Sequence, residues 1–263
     1  MITIGIDEVG YGPYLGPLVV AAAVAREPLR CPVPLGDSKK LFCQARGVGT
    51  LEPAVLGYLP SPTFRTLCHR LRAGLPESPW YCGDLPLPAV DPLDGLDAAA
   101  AVIVDPAEFN ARTKTLNKSD FLFEVVAGLI GRLREAVGPE PLRILVGKHG
   151  GRQFYLRSLN QLVSPTVWVR EETRRRSAYD IPGATIEFLE DAEEAHELVA
   201  LASMIGKYVR ERAMELFNFW WACRVEKLRP TAGYGADGRR FWRDVAPHAQ
   251  RLGVPGEAIL RLR

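Results

Sequence analysis

Apolar and polar positions along the chain follow two rhythms. A short β-branched apolar run, Met1 to Ile6, and a continuous one, Leu18 to Val24, flank a turn-rich stretch from Gly10 to Pro17. This predicts two strands joined by a glycine-rich turn. LRILVG (Leu142 to Gly147) reads as a buried strand, and TVWVREE (166–172) and Ala184 to Glu190 read as further strands. Elsewhere the period lengthens. Phe121, Val125, Leu129 and Leu133 recur every four residues within a helix from Asn117 to Val137. Leu198, Leu201, Ile205, Tyr208 and Val209 form the inward stripe of a longer helix, Glu194 to Asn218. GDSKKL (36–41) reads as a helix start that Asp37 or Ser38 caps. RPTAGYGADGRRF (229–241) is a turn-rich loop ahead of a short terminal helix, Phe241 to Leu252.

From about 48 to 112 prolines are frequent and periodicity is weak, with SPTFRTLCHRLRAGL (61–75) the one helix the pattern predicts. That stretch is expected to be an insertion within a single α/β domain spanning 1–263. The 263 residues, 47% hydrophobic and 24% charged, suit one substantial core plus a subdomain. The five cysteines are scattered, with no Cys-x-x-Cys spacing for zinc or a disulfide framework. Together with an N-terminus that reads directly as strand rather than as a basic leader, they lead us to expect a cytoplasmic protein. The run Leu18 to Val24 is too short to cross a bilayer, so no membrane span is expected.

The net charge of +2 says little about partners. Its distribution says more: 74–108 is acidic and Pro-rich, whereas Arg174 to Arg176 and the last 40 or so residues are Arg-rich. Such a basic face suits a polyanion, and equally a plain solvated surface.

Two adjacent carboxylates, Asp7 and Glu8, stand where the first apolar run ends, followed by Gly10 and Gly12. Neighbouring strand residues face opposite ways, so both acids can address one ion only where the strand ends and the backbone turns. Hard oxygen donors around an open position suit Mg²⁺ or Mn²⁺, whereas a polar pair standing alone reads as a solvated loop.

GIDEVGYGPYLGPLVVAAAV, followed by DSKKL, resembles the opening of ribonuclease HII, the type 2 ribonuclease H family. ALASMIGKYVRERAM (200–214) resembles that family's Ala-Ala-Ser helix, and AGYGADG (232–238) its Gly-Tyr-Gly loop. Together these cover about a third of the chain, in the family's order; the 48–112 insertion has no recognised counterpart.

The resemblance implies a ribonuclease H-like fold: a mixed central β-sheet flanked by helices, here with an inserted Pro-rich segment and a C-terminal substrate-contacting extension (219–263). It implies an Mg²⁺- or Mn²⁺-dependent endonuclease acting on RNA–DNA hybrids or duplexes with embedded ribonucleotides; a monomer is expected. Such an enzyme cuts the RNA strand and leaves 5′-phosphate ends. Asp7 and Glu8 match the first two of its four metal-binding carboxylates. Counting back from Ser203 to the next gives Glu193, with Asp191 and Glu194 as neighbours if the register slips; alone, this acidic cluster reads as a helix N-terminus complementing its dipole.

The fourth position departs from the family. Gly147 stands where the family has aspartate, Lys148 beside it would repel a cation, and His149 is a candidate substitute ligand or a loop residue. For binding, the resemblance assigns Gly10, Tyr11 and Gly12 to the loop that reads the 2′-hydroxyl, with Tyr11 in place of an arginine. It assigns Lys39 and Lys40 to phosphates and Tyr234 to the sugar at the junction. Lys207 and Arg210 could face the same backbone, or Lys207 could pair with Glu211 or Glu215; the Arg152 turn could cradle another phosphate. Phe217, Phe219, Trp220 and Trp221 read as core packing rather than as a base-stacking platform.

Three functions stand open: the endonuclease, a hybrid-binding protein disabled by Gly147, and a related nuclease on another nucleic-acid structure.

Overall fold

A computed structural model describes residues 1–26, 35 and 47–262. Lys39, Lys40 and the helix start at 36–41 lie outside the described residues. Seven strands form one mixed sheet: β1 (Ile2–Val9), β2 (Leu18–Arg26), β3 (Ala98–Val104), β4 (Leu142–Gly147), β5 (Trp168–Glu172), β6 (Arg176–Ile181) and β7 (Ala184–Leu189). The order is β3-β2-β1-β4-β7-β6-β5, with β1, β4 and β7 parallel and the other neighbours antiparallel. This is the mixed, helix-flanked sheet expected from the sequence.

Strand β2 shows why its sequence is a continuous apolar run. Val19, Ala21, Ala23 and Ala25 enter the core on one face, and Leu18, Val20, Ala22 and Val24 the core on the other. A strand covered on both sides needs no polar alternation. The first face carries the helix α7 (Glu197–Ala222), together with α1 (Glu52–Tyr58), α2 (Phe64–Arg70) and α8 (Gly235–Arg251). The opposite face carries α4 (Lys118–Val137), preceded by α3 (Pro106–Thr113). Two short helices, α5 (Leu156–Leu162) and α6 (Ala192–Ala195), complete the set used below. Helix α7 lies so close to β1 that a Cβ on Gly5 would fall 2.3 Å from the Leu198 carbonyl carbon. Among the described residues no helix is long and apolar enough to cross a membrane.

Several boundaries moved for tertiary reasons. β1 continues past Ile6 to Val9, because Asp7, Glu8 and Val9 pair with Ala21, Val20 and Val19. β3 lies inside 48–112, where an alanine-rich run gains its partner only from β2. β6 went unread because its pattern, RSAYDI, is set by pairing with β7 on one side and β5 on the other. The long helix begins at Glu197: His196 is extended (φ −153°), and its Nδ1 accepts the Leu198 N–H at 3.2 Å. The terminal helix starts six residues early, at Gly235, taking in the whole ADGRR stretch. Phe217, Trp220 and Trp221 pack into the core, while Phe219 is exposed.

Candidate metal and nucleic-acid site

The C-terminal ends of the parallel strands β1, β4 and β7 share one edge of the sheet. A cavity of about 190 Å³ opens there. Asp7 and Glu8 from β1, Gly147 from the end of β4, and Glu190, Asp191 and Glu193 after β7 all line it. The site residues expected from β1 and from the acidic cluster thus face one cavity. Asp7 is buried, Glu8 and Glu193 are half-buried, and Glu190 and Asp191 are exposed. Asp191 adopts the left-handed conformation (φ 53°) as the chain turns from β7 into α6. Aspartate tolerates that region better than most residues.

Gly147 determines how open the cavity is. A Cβ there would lie 2.8 Å from Asp7 Oδ1 and 3.7 Å from Glu8 Oε2. Glycine therefore leaves free the space directly over both carboxylates. Five acids crowd this small volume, and the electrostatic demand is for a cation. Hard carboxylate oxygens suit Mg²⁺ or Mn²⁺. Among the described residues, no three His, Cys, Asp or Glu side chains stand already arranged to hold a metal, so an ion would have to draw its ligands together.

The neighbours of Gly147 behave differently from expectation. The Lys148 ammonium is hydrogen-bonded away from Asp7 and Glu8: Nζ donates to Thr173 O at 2.7 Å and to Ser177 Oγ at 3.2 Å, on the β5–β6 hairpin. Burial lowers its pKa, opposed by the Glu190 and Glu171 carboxylates. His149 is no substitute ligand. The strand ends at Gly147, and the chain turns the imidazole onto the opposite face, among Phe123, Tyr155 and Phe188. Both ring nitrogens are buried without a hydrogen-bond partner among the described residues, and burial pulls the pKa down to about 3.

Arg152 is likewise occupied rather than free for a phosphate. It bonds Asp120 Oδ1 at 2.9 Å, Ser158 Oγ at 2.5 Å and Phe154 O at 3.0 Å, with its guanidinium 4.8 Å from the Tyr155 ring centroid. Lys207 pairs with Glu211 at 2.7 Å.

Arg210 does not face outward beside Lys207. It is fully buried, donating to Leu15 O, Pro17 O and Ala232 O at 3.0 to 3.4 Å. From the C-terminal end, Arg261 donates to Gly10 O and to Gly16 O at 2.5 to 3.0 Å. Burial and the neighbouring Arg210 charge pull the Arg261 pKa down to about 9. Two guanidiniums thus grip the 10–17 loop from beneath. Gly10 has φ +86°, and a Cβ there would lie 2.6 Å from Arg210 Nε. The sequence offered no signal for Arg261, because its partners are backbone carbonyls some 245 to 251 positions away.

The same clamp orients Tyr234. Gly233 O accepts the N–H groups of Tyr14 (2.8 Å) and Leu15 (3.2 Å), and the Arg210 guanidinium lies 5.1 Å from the Tyr234 ring centroid. Tyr234 is 44% exposed, available to a ligand and fixed relative to Gly10–Gly12. Tyr11 is half-buried against the α4-side core; burial and the Glu8 charge raise its hydroxyl pKa, which keeps the phenol neutral.

Residues 4–53 match the family model for ribonuclease HII. Ribonuclease HII of Chelativorans sp. (strain BNC1) is 57% identical over 42 residues, which is 16% of this chain and 16% of that protein. The matched stretch thus spans about a sixth of the curated relative. Over the whole chain the likeness is structural. A ribonuclease HII from Archaeoglobus fulgidus, solved in complex with PCNA, aligns with a TM-score of 0.54 at 21% identity, covering 100% of this chain and 95% of that one. Bst ribonuclease HIII in complex with Mn²⁺ aligns with a TM-score of 0.55 at 20% identity, covering 100% of this chain and 66% of that one. These likenesses establish the fold.

Proposed function

We propose that this chain, a divergent relative of the ribonuclease HII family, is a divalent-metal-dependent endonuclease that cuts the RNA strand of RNA–DNA hybrids and leaves 5′-phosphate ends. The observation that carries the reading is the meeting of Asp7, Glu8 and Glu193 around one small acidic cavity at the C-terminal edge of the parallel strands. The family match supports it, since residues 4–53 contain both Asp7 and Glu8.

Asp7, Glu8 and Glu193 would hold Mg²⁺ or Mn²⁺, which supplies Lewis-acid activation of the phosphodiester when bound. The chain's own residues do the rest. Lys148, on the cavity rim, directs its ammonium to Thr173 O on the hairpin. Gly10 to Gly12 and Tyr234, fastened to each other through Gly233 and Arg210, present a fixed surface to the sugar beside the scissile bond. Lys39 and Lys40 belong to the same proposal as phosphate contacts, as do a monomeric state and a reducing cytoplasm, where Cys68, Cys82 and Cys223 stay free thiols.

Gly147 favours a second reading. A protein with the groove but without a complete ligand set binds hybrids and does not cut them. The deciding assay uses a continuous hybrid and a duplex with one embedded ribonucleotide, with Mg²⁺ and with Mn²⁺, for wild type and Asp7→Asn. Metal-dependent cutting that disappears in the variant supports the endonuclease. Hybrid binding in EDTA without cutting selects the second reading, and absence of both overturns the two together.

A further inference from the structure

We infer that the β5–β6 hairpin tip, Thr173 to Arg175, is a backbone-phosphate contact that extends the nucleic-acid surface past the acidic cavity on its β7 side; the inference rests on the proposed nucleic-acid substrate. The topology places it there. β6 runs antiparallel to β7, and β5 antiparallel to β6. Their connecting turn therefore emerges at the sheet edge where β1, β4 and β7 end and where the 10–17 loop begins. Three interstrand steps separate β1 from β6, about 14 Å at the usual spacing.

The tip is fastened to the cavity rim at two points. Lys148, a lining residue, donates from Nζ to Thr173 O, and the backbone N–H of Glu190, another lining residue, donates to Arg175 O at 2.9 Å. The turn is tied internally as well: Thr173 N–H donates to Arg176 O at 2.8 Å, and Arg176 N–H to Thr173 Oγ1 at 3.1 Å. A rigid, rim-mounted tip loses little freedom when it meets a ligand.

Its three arginines divide by role. Arg176 is occupied, pairing with Glu171 at 3.0 Å and Glu187 at 2.9 Å. Arg174 is 90% exposed, and its approach to Glu190 is only 4.0 Å, a contact of small worth at that exposure. The Arg175 side chain is exposed and makes no ion pair with the described residues. One cation weakly held at the rim and one without an ion pair to the described residues thus stand beside the acidic cavity. A polyanionic strand lying over the cavity would meet repulsion from the acids and, at the adjacent strand ends, attraction from the tip. Phosphate contacts of this kind position the duplex and carry no sequence information.

The test is anisotropy of a labelled RNA–DNA duplex in EDTA across a salt series, which reads binding apart from cutting. Arg174→Gln/Arg175→Gln is compared with Arg70→Gln/Arg72→Gln, which removes the same charge from a cavity shared with Ala98 to Ala100, at the opposite edge of the sheet. The tip variant is expected to bind roughly tenfold more weakly and to lose about 2 from the slope of log affinity against log salt, near 1 per phosphate contact. The control variant keeps the wild-type slope. Unchanged affinity and slope in the tip variant, or an equal loss in both variants, overturns the inference while the proposed function stands. Wild-type protein that binds no duplex overturns both.

Discussion

Two charged regions stand at the same end of the sheet and are built on opposite terms. In the cavity, Asp7, Glu8 and Glu193 line one small solvent-open space, while the Lys148 ammonium on its rim donates to Thr173 O. Beneath the 10–17 loop, Arg210 and Arg261 are buried, and Arg261 donates to the backbone carbonyls of Gly10 and Gly16. Like charges held around a solvent-open space are a standing cost that a ligand relieves, whereas buried charges saturated by carbonyls lock geometry and would gain nothing from a ligand. The comparison separates the residues that act from those that position.

The strongest way to break it is Asp7→Asn. Metal-dependent cleavage should fall about a hundredfold or more, because metal activation is worth several kcal/mol. A variant with full activity would remove the cavity from the chemistry. Arg261→Met asks the opposite question of the clamp. It leaves the carbonyls of Gly10 and Gly16 buried without donors, at about 3 kcal/mol for the two. The melting temperature should drop by roughly 6 to 12 °C. An unchanged melting curve would mean that the loop needs no clamp.

His149 adds a third kind of charge control beside the cavity. Its folded pKa of about 3 lies below the unfolded value near 6.5, so the unfolded chain binds the extra proton first. The stability present above pH 6.5 is therefore lost as pH falls toward 3, at about 1.4 kcal/mol per unit. His149→Phe suits the aromatic surroundings and should remove that slope when urea midpoints at pH 4.5 and 7.5 are compared. Equal acid sensitivity in both proteins would place the imidazole in water.

The smallest effect is expected at Gly147. Gly147→Asp crowds Asp7 Oδ1 and should cost about 1 kcal/mol without metal, or 2 to 4 °C. Adding Mn²⁺ should then raise the melting temperature by more than in wild type. No extra shift would show that the space over Asp7 is closed to a further ligand.

Much of the fold was legible in the chain. The run Leu18 to Val24, the period-four stripe of α4 and the Ser203 helix are local patterns, and burial follows from them directly. β3 and β6 escaped because AAAAVIV and RSAYDI become strands through the neighbours they pair with. The register of Glu193 could be counted from Ser203, but its company with Glu190 and Asp191 needed the turn out of β7. The sequence left the roles of His149 and Arg152 open for one reason: whether a polar residue after a strand faces the site or the core depends on where the chain bends, and the bend is set by packing against Phe123 and Tyr155.

By itself the sequence determined which residue types are present and their local periodicity: acids at 7 and 8, an acid-rich turn before a long helix, and glycine where a further acid was expected. Hydrophobic period and turn chemistry act over a few residues, so they can be read without the fold. Tertiary structure alone decided which charges meet. Arg261 reaches Gly10, Lys148 turns to Thr173, and His149 turns into an aromatic core, because such contacts join positions far apart in sequence and exist only once the sheet brings its strand ends to one edge.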